Sequence, residues 1–142
     1  MEFTKIKISS TGQELPANAT EWDAVKITEL GVMFARSNLP GGRMSAAASK
    51  KALASFSLAG FSDWREPERL ELESILDLKK YSPAIDEDFF TDTESDWYRT
   101  STPFAWSSGH VWIVHFDSAS VSTLHRDNEA FVRPVRSLGA GQ

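Results

Sequence analysis

Three histidines are the side chains of this sequence best suited to bind a metal ion or to transfer a proton. They are His110, His115 and His125, and the sequence contains no cysteine. Side chains alternate between the two faces of a strand, so His110 and His115, five positions apart in an apolar segment, are expected on opposite faces. The spacing argues against a shared metal site at this pair, and we expect the chain to hold no metal and no other cofactor.

Six acidic residues between positions 86 and 96 have the composition of a calcium-binding loop. An EF-hand loop needs an oxygen ligand at its fifth position and a glycine at its sixth. Counted from Asp86, those positions hold Phe90 and Thr91. The pattern therefore fails, and we expect a solvated acidic loop.

Serine, histidine and aspartate are all present, but no segment arranges them for nucleophilic catalysis. The Gly-x-Ser-x-Gly sequence that exposes a catalytic serine at a strand–helix turn does not occur. The absence of cysteine also excludes a thiol nucleophile and a disulfide framework. We expect no catalytic residues and no enzymatic activity.

A segment rich in serine and glycine carries two aromatic residues between two predicted strands. It runs from Thr102 to Gly109 and contains Phe104 and Trp106. Aromatic rings among small polar residues are typical of binding loops, because the rings give rigid apolar area and the small residues give adaptable hydrogen bonding. We expect Phe104 to turn into the core. The sequence leaves Trp106 open between burial and exposure.

A second polar loop, residues 125–129, follows the next predicted strand and is expected at the same end of the sheet. Loops on a rigid scaffold commonly carry recognition. The two loops together form the predicted binding surface for a protein or glycan. Its residues are Phe104, Trp106, Ser107, Ser108, His110, His125, Arg126, Asp127 and Asn128.

The spacing of apolar residues predicts the elements that support these loops. An Ala-rich stretch at 44–56 predicts a first helix with Ser45 as its N-cap, and the spacing at 68–78 predicts a second helix. We expect strands at 3–8 (an edge strand), 22–28, 32–36, 97–101, 111–116, 121–124 and 130–136. This order predicts an α+β class, with two helices packed on a twisted antiparallel sheet.

A single tryptophan, Trp64, is the predicted anchor of the core. It lies in the segment Gly60–Pro67 between the two helices, and its indole N–H needs a partner if the ring is buried there. Trp22, Trp97 and Trp112 also occupy strand-like positions that predict core side chains. The length predicts one domain, 1–142, in which 1–20 is an N-terminal strand and loop and 21–138 is the main body.

Five blocks of this chain in order carry a family resemblance: GFSDWREPERLELESILD, PAIDEDFF, DWYRTSTPFA, VWIVHFDSASV and FVRPVRSL. They resemble the Lcl C-terminal domain family over roughly Trp22 to Leu138. Glu66, Glu68 and Pro134 depart from the usual pattern of that family. The resemblance implies a C-type-lectin-like fold, in the group that also contains the formylglycine-generating enzymes. Those enzymes depend on cysteines, and the Glu-Pro-Asn and Trp-Asn-Asp signatures of calcium-dependent lectins are absent here.

Charge and hydropathy exclude further classes of function. The formal net charge is −5, without a basic stripe, which argues against a nucleic-acid partner. No apolar run is long enough to span a membrane, and the first residues lack the apolar region of a secretory signal. We therefore expect the chain to be cytoplasmic at synthesis.

The resemblance and the missing signal together give the expected function. Phages use this fold group for display, which implies a phage- or prophage-encoded virion surface, tail-associated, receptor-binding or decoration protein. Its partners would be a protein or glycan ligand and other virion proteins, and the sequence leaves homo-oligomers open. The alternative is an intracellular inhibitor or adaptor that binds a host or phage enzyme.

Overall fold

The computed structural model describes residues 3–139. It contains two antiparallel sheets, whereas the sequence predicted one. The mixed class with two α-helices is as predicted. The elements in chain order are β1 Lys5–Ile8, β2 Glu14–Leu15, β3 Ala24–Ile27, β4 Val32–Ala35, α1 Ala46–Ala54, α2 Arg69–Glu73, β5 Trp97–Pro103, β6 His110–His115, β7 Ser120–His125 and β8 Val135–Ser137, with a short 3-10 helix at Thr28–Leu30.

The larger sheet joins the beginning and the end of the described chain, in the order β2-β1-β3-β4-β8. The first strand is not an edge strand, contrary to expectation. A tight turn at Ser9–Gly12 returns the chain, so that Glu14 and Leu15 pair with Ile8 and Lys7 on the outer side. Sequence alternation predicted the strand itself but did not indicate this two-residue partner.

The smaller sheet contains β5, β6 and β7, with β6 in the centre. Apolar residues stand on both faces of β6, a pattern typical of a central strand. β6 and β7 form a hairpin whose register is regular at six positions. The register between β5 and β6 shifts between Arg99 and Pro103. There Thr100 donates its hydroxyl to the carbonyl of Trp112 at 2.6 Å, and this bond ties the irregular stretch to the central strand.

The predicted closing strand at 130–136 is mostly not a strand. Ala130 and Phe131 form single bridges to Met44 and Tyr98, and regular pairing begins only at Val135. The segment passes from the smaller sheet to the larger one, so its successive backbone groups bond to different elements.

Both helices are shorter than predicted. Ser45 caps α1 by accepting the N–H of Ala48 at 3.3 Å, as expected. The second helix ends at Glu73, because the chain then turns and the N–H of Asp77 bonds to the carbonyl of Ala84 at 2.8 Å. The helix is five residues long and buries Leu72 in the core.

The apolar side chains form two clusters. One lies between the sheets and α2 and includes Phe34, Leu72 and Phe116. The other lies under α1 and contains Trp64, which is 5% exposed. Burial of Trp64 is therefore confirmed, and its indole N–H donates to the carbonyls of Phe61 and Leu58 at 3.1 and 3.2 Å. It packs beneath α1, with Leu53 in the same cluster and Phe56 edge-to-face on its ring.

Among residues 3–139, no helix has the length and hydropathy needed to span a bilayer.

Candidate binding surface

The loop between β5 and β6 is held closed at its base by backbone hydrogen bonds. Phe104 donates its N–H to the carbonyl of His110 at 2.9 Å, and His110 donates to the carbonyl of Ser107 at 3.2 Å. The Ser107 hydroxyl also lies 3.0 Å from Nδ1 of His110. These contacts give the loop a defined shape although serine and glycine dominate its sequence.

The second loop is bonded directly to the first. Arg126 donates its N–H to the carbonyl of Gly109 at 2.8 Å, so the two loops lie at the same end of the smaller sheet, as predicted. His125 Nδ1 accepts the N–H of Asp127 at 3.2 Å, and the N–H of Asn128 reaches the carbonyl of His125 at 2.9 Å. Residues 104–110 and 125–128 therefore form one surface, which we call the loop pair.

The side chains of His110 and His125 in the loop pair are in contact, which was not predicted from the sequence. They are directly opposite each other in the β6–β7 register, and their ring centroids are 5.3 Å apart in an edge-to-face arrangement. Gly109 makes room for this pair: its φ is +87°, and a Cβ there would lie 3.2 Å from Nε2 of His125. The sequence signal for this contact was the length of the β6–β7 hairpin, which sets residues 110 and 125 opposite each other.

The described residues offer no third ligand to make a metal site of this pair. Across residues 3–139, no group of three histidine, cysteine, aspartate or glutamate side chains is placed to hold a metal ion. His115 lies elsewhere, on the opposite face, where its Nδ1 accepts the N–H of Asp117 at 3.1 Å.

Trp106 is exposed, which decides the question that the sequence left open. Its exposed fraction is 90%, the highest of the large hydrophobic side chains in the described part of the chain. Ser108, Arg126, Asp127 and Asn128 are also exposed, whereas Ser107 is half-buried. The loop pair therefore presents one large ring among small polar and charged groups.

Phe104 does not turn into the core. It is half-buried and packs edge-to-face on Trp112, with ring centroids 5.3 Å apart. Trp112 was also expected in the core and is likewise half-buried. Trp112 lies on the same face of β6 as Val114, but it is beside the start of α2, where the Arg69 side chain covers only part of the ring.

Trp97 was also expected to be a core side chain, and it too is only partly buried, near the other end of β6. It is half-buried and packs edge-to-face on His115 at 4.4 Å. Trp22 is 8% exposed and its indole N–H donates to the carbonyl of Phe89 at 2.9 Å, so it is a core residue as predicted. The strand pattern alone did not separate these tryptophans.

A shallow cleft of about 500 Å³ extends the surface beside Trp112. Leu70, at 78% exposure, stands on its rim. The guanidinium of Arg69 lies over the Trp112 ring and also pairs with Glu73 at 2.9 Å. The cleft is lined by Glu68, Arg69, Leu70, Ser101, Thr102, Pro103 and Trp112. Aromatic and aliphatic area is thus framed by hydrogen-bonding groups, an arrangement that suits noncovalent binding.

Charged contacts fix the segment that leads into α2. Arg65 makes two hydrogen bonds to the carboxylate of Glu71, at 2.8 and 2.9 Å, and Glu71 also accepts the N–H of Glu68 at 2.8 Å. Burial acts to raise the pKa of Glu71, but these hydrogen bonds outweigh it and the net pKa is lowered. Glu71, three residues after Glu68, is therefore charged and completes a capping box at the start of α2.

The family model described as the Lcl C-terminal domain matches residues 10–136. No curated protein matches the sequence. The match to the family model starts earlier than the resemblance predicted and includes β2, β3 and β4 of the larger sheet, the smaller sheet, both helices and the loop pair. The chain therefore belongs to the Lcl C-terminal domain family.

Proposed function

We propose that this protein is a non-catalytic recognition module that binds a protein or glycan through the loop pair. The observation that carries the proposal is Trp106, 90% exposed on a loop whose base is closed by hydrogen bonds. An exposed indole lowers solubility unless it serves an interface, and tryptophan is enriched among the residues that dominate binding energy.

The shape of the loop pair supports this role. Backbone hydrogen bonds join Phe104 to His110 and Arg126 to Gly109, so the surface needs little ordering when it binds. Preorganisation of this kind raises affinity because less conformational entropy is lost on association. Flexible serine side chains beside the ring can then adapt their hydrogen bonds to the partner.

Half-buried aromatic residues next to the loop pair enlarge the surface. Phe104 and Trp112 pack together, and Leu70 adds exposed apolar area beside the adjoining cleft. An anchor ring flanked by partly covered neighbours is the usual composition of an energetically dominant patch. The proposed interface is therefore centred on Trp106 and extends towards Trp112.

The proposal includes the wider fold group and the biological setting. We assign the domain to the C-type-lectin-like fold, and the product to a phage or prophage particle as a virion surface, tail-associated or decoration protein made in the cytoplasm. The support is family membership together with the resemblance given above. Resemblance carries fold better than function, so the experiments below test the function directly.

Glycan arrays and host-cell binding assays test the proposed activity. The wild-type chain should bind in at least one assay, and Trp106→Ala should lose that binding. Tyr81→Ala is the matched control, because Tyr81 is 84% exposed but lies outside the loop pair. Equal loss in both variants would indicate nonspecific adhesion, and a clean negative for the wild type in both assays would contradict the proposal.

Fractionation of infected or induced cells distinguishes a component of the phage particle from the alternative, an intracellular inhibitor or adaptor. We expect the chain to sediment with assembled particles. Recovery from cytosol in a stoichiometric complex with a host or phage enzyme would instead establish the alternative. Both settings use the same exposed ring, so the comparison tests where the module acts and not whether it binds.

A further inference from the structure

A second cleft, distinct from the loop pair, lies between α1, the segment 62–66 and the opposite face of the smaller sheet. Its volume is about 530 Å³, which is within the range of small-molecule sites. Much of its wall is apolar, from Leu53, Trp64 and Val111. The complete lining is Ala46, Lys50, Leu53, Ala54, Ser62, Trp64, Arg65, Glu66, Arg99, Ser101 and Val111.

Arg99 in this lining is completely buried, at 0% exposure. Its Nη1 donates to the carbonyls of Asn128 and Met44, at 3.0 and 3.4 Å. Its Nε and Nη2 have no hydrogen-bond partner among the described residues. Buried donors without acceptors are rare and cost free energy, and the cost is larger for a charged group.

The unpartnered edge of Arg99 faces a carboxylate that does not reach it. Glu66 Oε2 lies 3.5 Å from Nε, which is within ion-pair range but makes no hydrogen bond. The Nε–Nη2 edge of a guanidinium is shaped for two parallel hydrogen bonds to one carboxylate. Glu66 therefore lies next to this edge but accepts no hydrogen bond from it.

The other cations near the cleft differ from Arg99. Arg65 is already bonded twice to Glu71. Lys50 is exposed on the outer part of α1, where it adds positive charge at the entrance. The cleft thus combines an exposed cation, an apolar wall and one buried guanidinium edge that makes no hydrogen bond, which we call the open edge.

We propose that this cleft binds a small organic acid with an apolar body, whose carboxylate takes the open edge of Arg99. The bound carboxylate replaces Glu66 beside Nε, and the Glu66 side chain, 17% exposed at the mouth, swings towards solvent. The apolar body of the ligand packs against Leu53, Trp64 and Val111. No covalent step is involved, and the lining of the cleft contains no residue of the loop pair, although Arg99 donates to the carbonyl of Asn128.

The charge and shape of the site favour a monocarboxylate over a phosphate. A group that exchanges with the carboxylate of Glu66 must match its planar shape and single charge. A phosphate dianion would meet stronger repulsion from Glu66 before that side chain had moved. The apolar wall also gives little to the remaining oxygens of a phosphate, which would lose hydration without new hydrogen bonds.

Titration calorimetry with phenylacetate tests the proposal on the full 142-residue chain. Phenylacetamide is the matched neutral probe, and we expect it to bind at least tenfold more weakly. Glu66→Ala removes the competing carboxylate and should bind phenylacetate at least tenfold more tightly than the wild type. Because this variant also leaves Arg99 unpaired, phenylacetate should raise its Tm more than that of the wild type.

Two variants of α1 locate the binding. Ala54→Trp fills the cleft from its wall and should abolish binding of phenylacetate. Ala47→Trp adds the same ring at an exposed position outside the lining and should leave the affinity unchanged. The proposal is overturned if neither the wild type nor Glu66→Ala binds phenylacetate saturably. Equal affinity for the amide, or normal binding by Ala54→Trp, would overturn it as well.

Discussion

The guanidinium carbon of Arg69 lies 4.1 Å from the centroid of the Trp112 ring. This contact joins the first turn of α2 to the central strand of the smaller sheet, and it covers part of the half-buried Trp112 ring. The same side chain pairs with Glu73 four residues later. Arg69 therefore combines a helix-surface ion pair with a contact between elements.

Replacing Arg69 with alanine separates these two contributions. We expect Arg69→Ala to lower the free energy of unfolding by about 1 kcal/mol, the sum of a partly exposed cation–π contact and a surface ion pair. Glu73→Ala removes only the ion pair and should cost less than about 0.5 kcal/mol. Urea denaturation measures both, and equal losses would mean that the contact with Trp112 contributes nothing.

Trp106→Ala should separate binding from stability. The ring is 90% exposed, so its removal should change the free energy of unfolding by less than about 1 kcal/mol. Binding to the partner found by array or cell assay should weaken by roughly 2 kcal/mol or more. A variant that melts well below the wild type, or that binds normally, would show that the loop is structural.

Trp64→Ala should be among the most damaging single substitutions. The indole is buried under α1, packs edge-to-face on Phe56 at 6.1 Å and donates to two backbone carbonyls. Removing it should cost roughly 3–5 kcal/mol, the range for emptying an aromatic core site. Trp64→Phe keeps much of the ring volume and should cost clearly less. Chemical denaturation of the two variants would contradict this ordering if their losses were equal.

Asp63 and Arg136 should make stability depend on acid pH. The hydrogen bond from Arg136, at 2.7 Å from Nε to Oδ1, holds the pKa of Asp63 below its usual value. A lowered folded-state pKa stabilises the fold above the unfolded pKa of about 3.9, and this contribution is lost as pH falls through the folded-state pKa.

To test this, the free energy of unfolding of the wild type is compared with that of Asp63→Asn between neutral and acid pH. The wild type should be more stable at neutral pH, and the difference should shrink as Asp63 becomes protonated. The Asp63 side chain is 61% exposed, so the difference should be small and should fall further in high salt. A difference that is constant across the acid range would contradict the assignment.

Calcium and zinc are expected to leave Tm unchanged. A metal that binds only the folded state must raise Tm, so a thermal titration detects it without knowledge of the site. The paired rings of His110 and His125 are the place to examine if zinc does act, since they lie 5.3 Å apart. His125→Gln would then remove the effect. A rise of several degrees at micromolar metal would contradict the prediction.

Local sequence determined the elements that depend on near neighbours. Ser45 sits where an accepting side chain can bond the free N–H of Ala48, and Glu71 stands three residues after Glu68, so both helix starts were predictable. Apolar residues on both faces of β6 indicated a central strand, because such a strand must be covered on two sides. The five blocks of motif in order predicted the family.

Only the tertiary structure decided which aromatic rings are covered. Trp112 and Val114 share a face of β6 and look alike in sequence, yet Val114 is buried and Trp112 is half-buried. The difference arises because Val114 lies in the cluster between the sheets and α2, whereas Trp112 lies beside the first turn of α2, where the side chain of Arg69 covers only part of the ring. The periodicity of a strand does not show which of its side chains a distant segment will cover.

The division into two sheets and the contacts of Arg99 and His125 all depend on pairing between segments that are distant in the sequence. Residues near 130 bond to Met44 and Tyr98 instead of continuing one strand, and this choice depends on partners far along the chain. Sequence shows which backbone groups need partners but not which distant segment supplies them. The loop pair could thus be predicted as a set of residues, whereas the exposure of Trp106 and the open guanidinium edge of Arg99 follow only from how the segments pack.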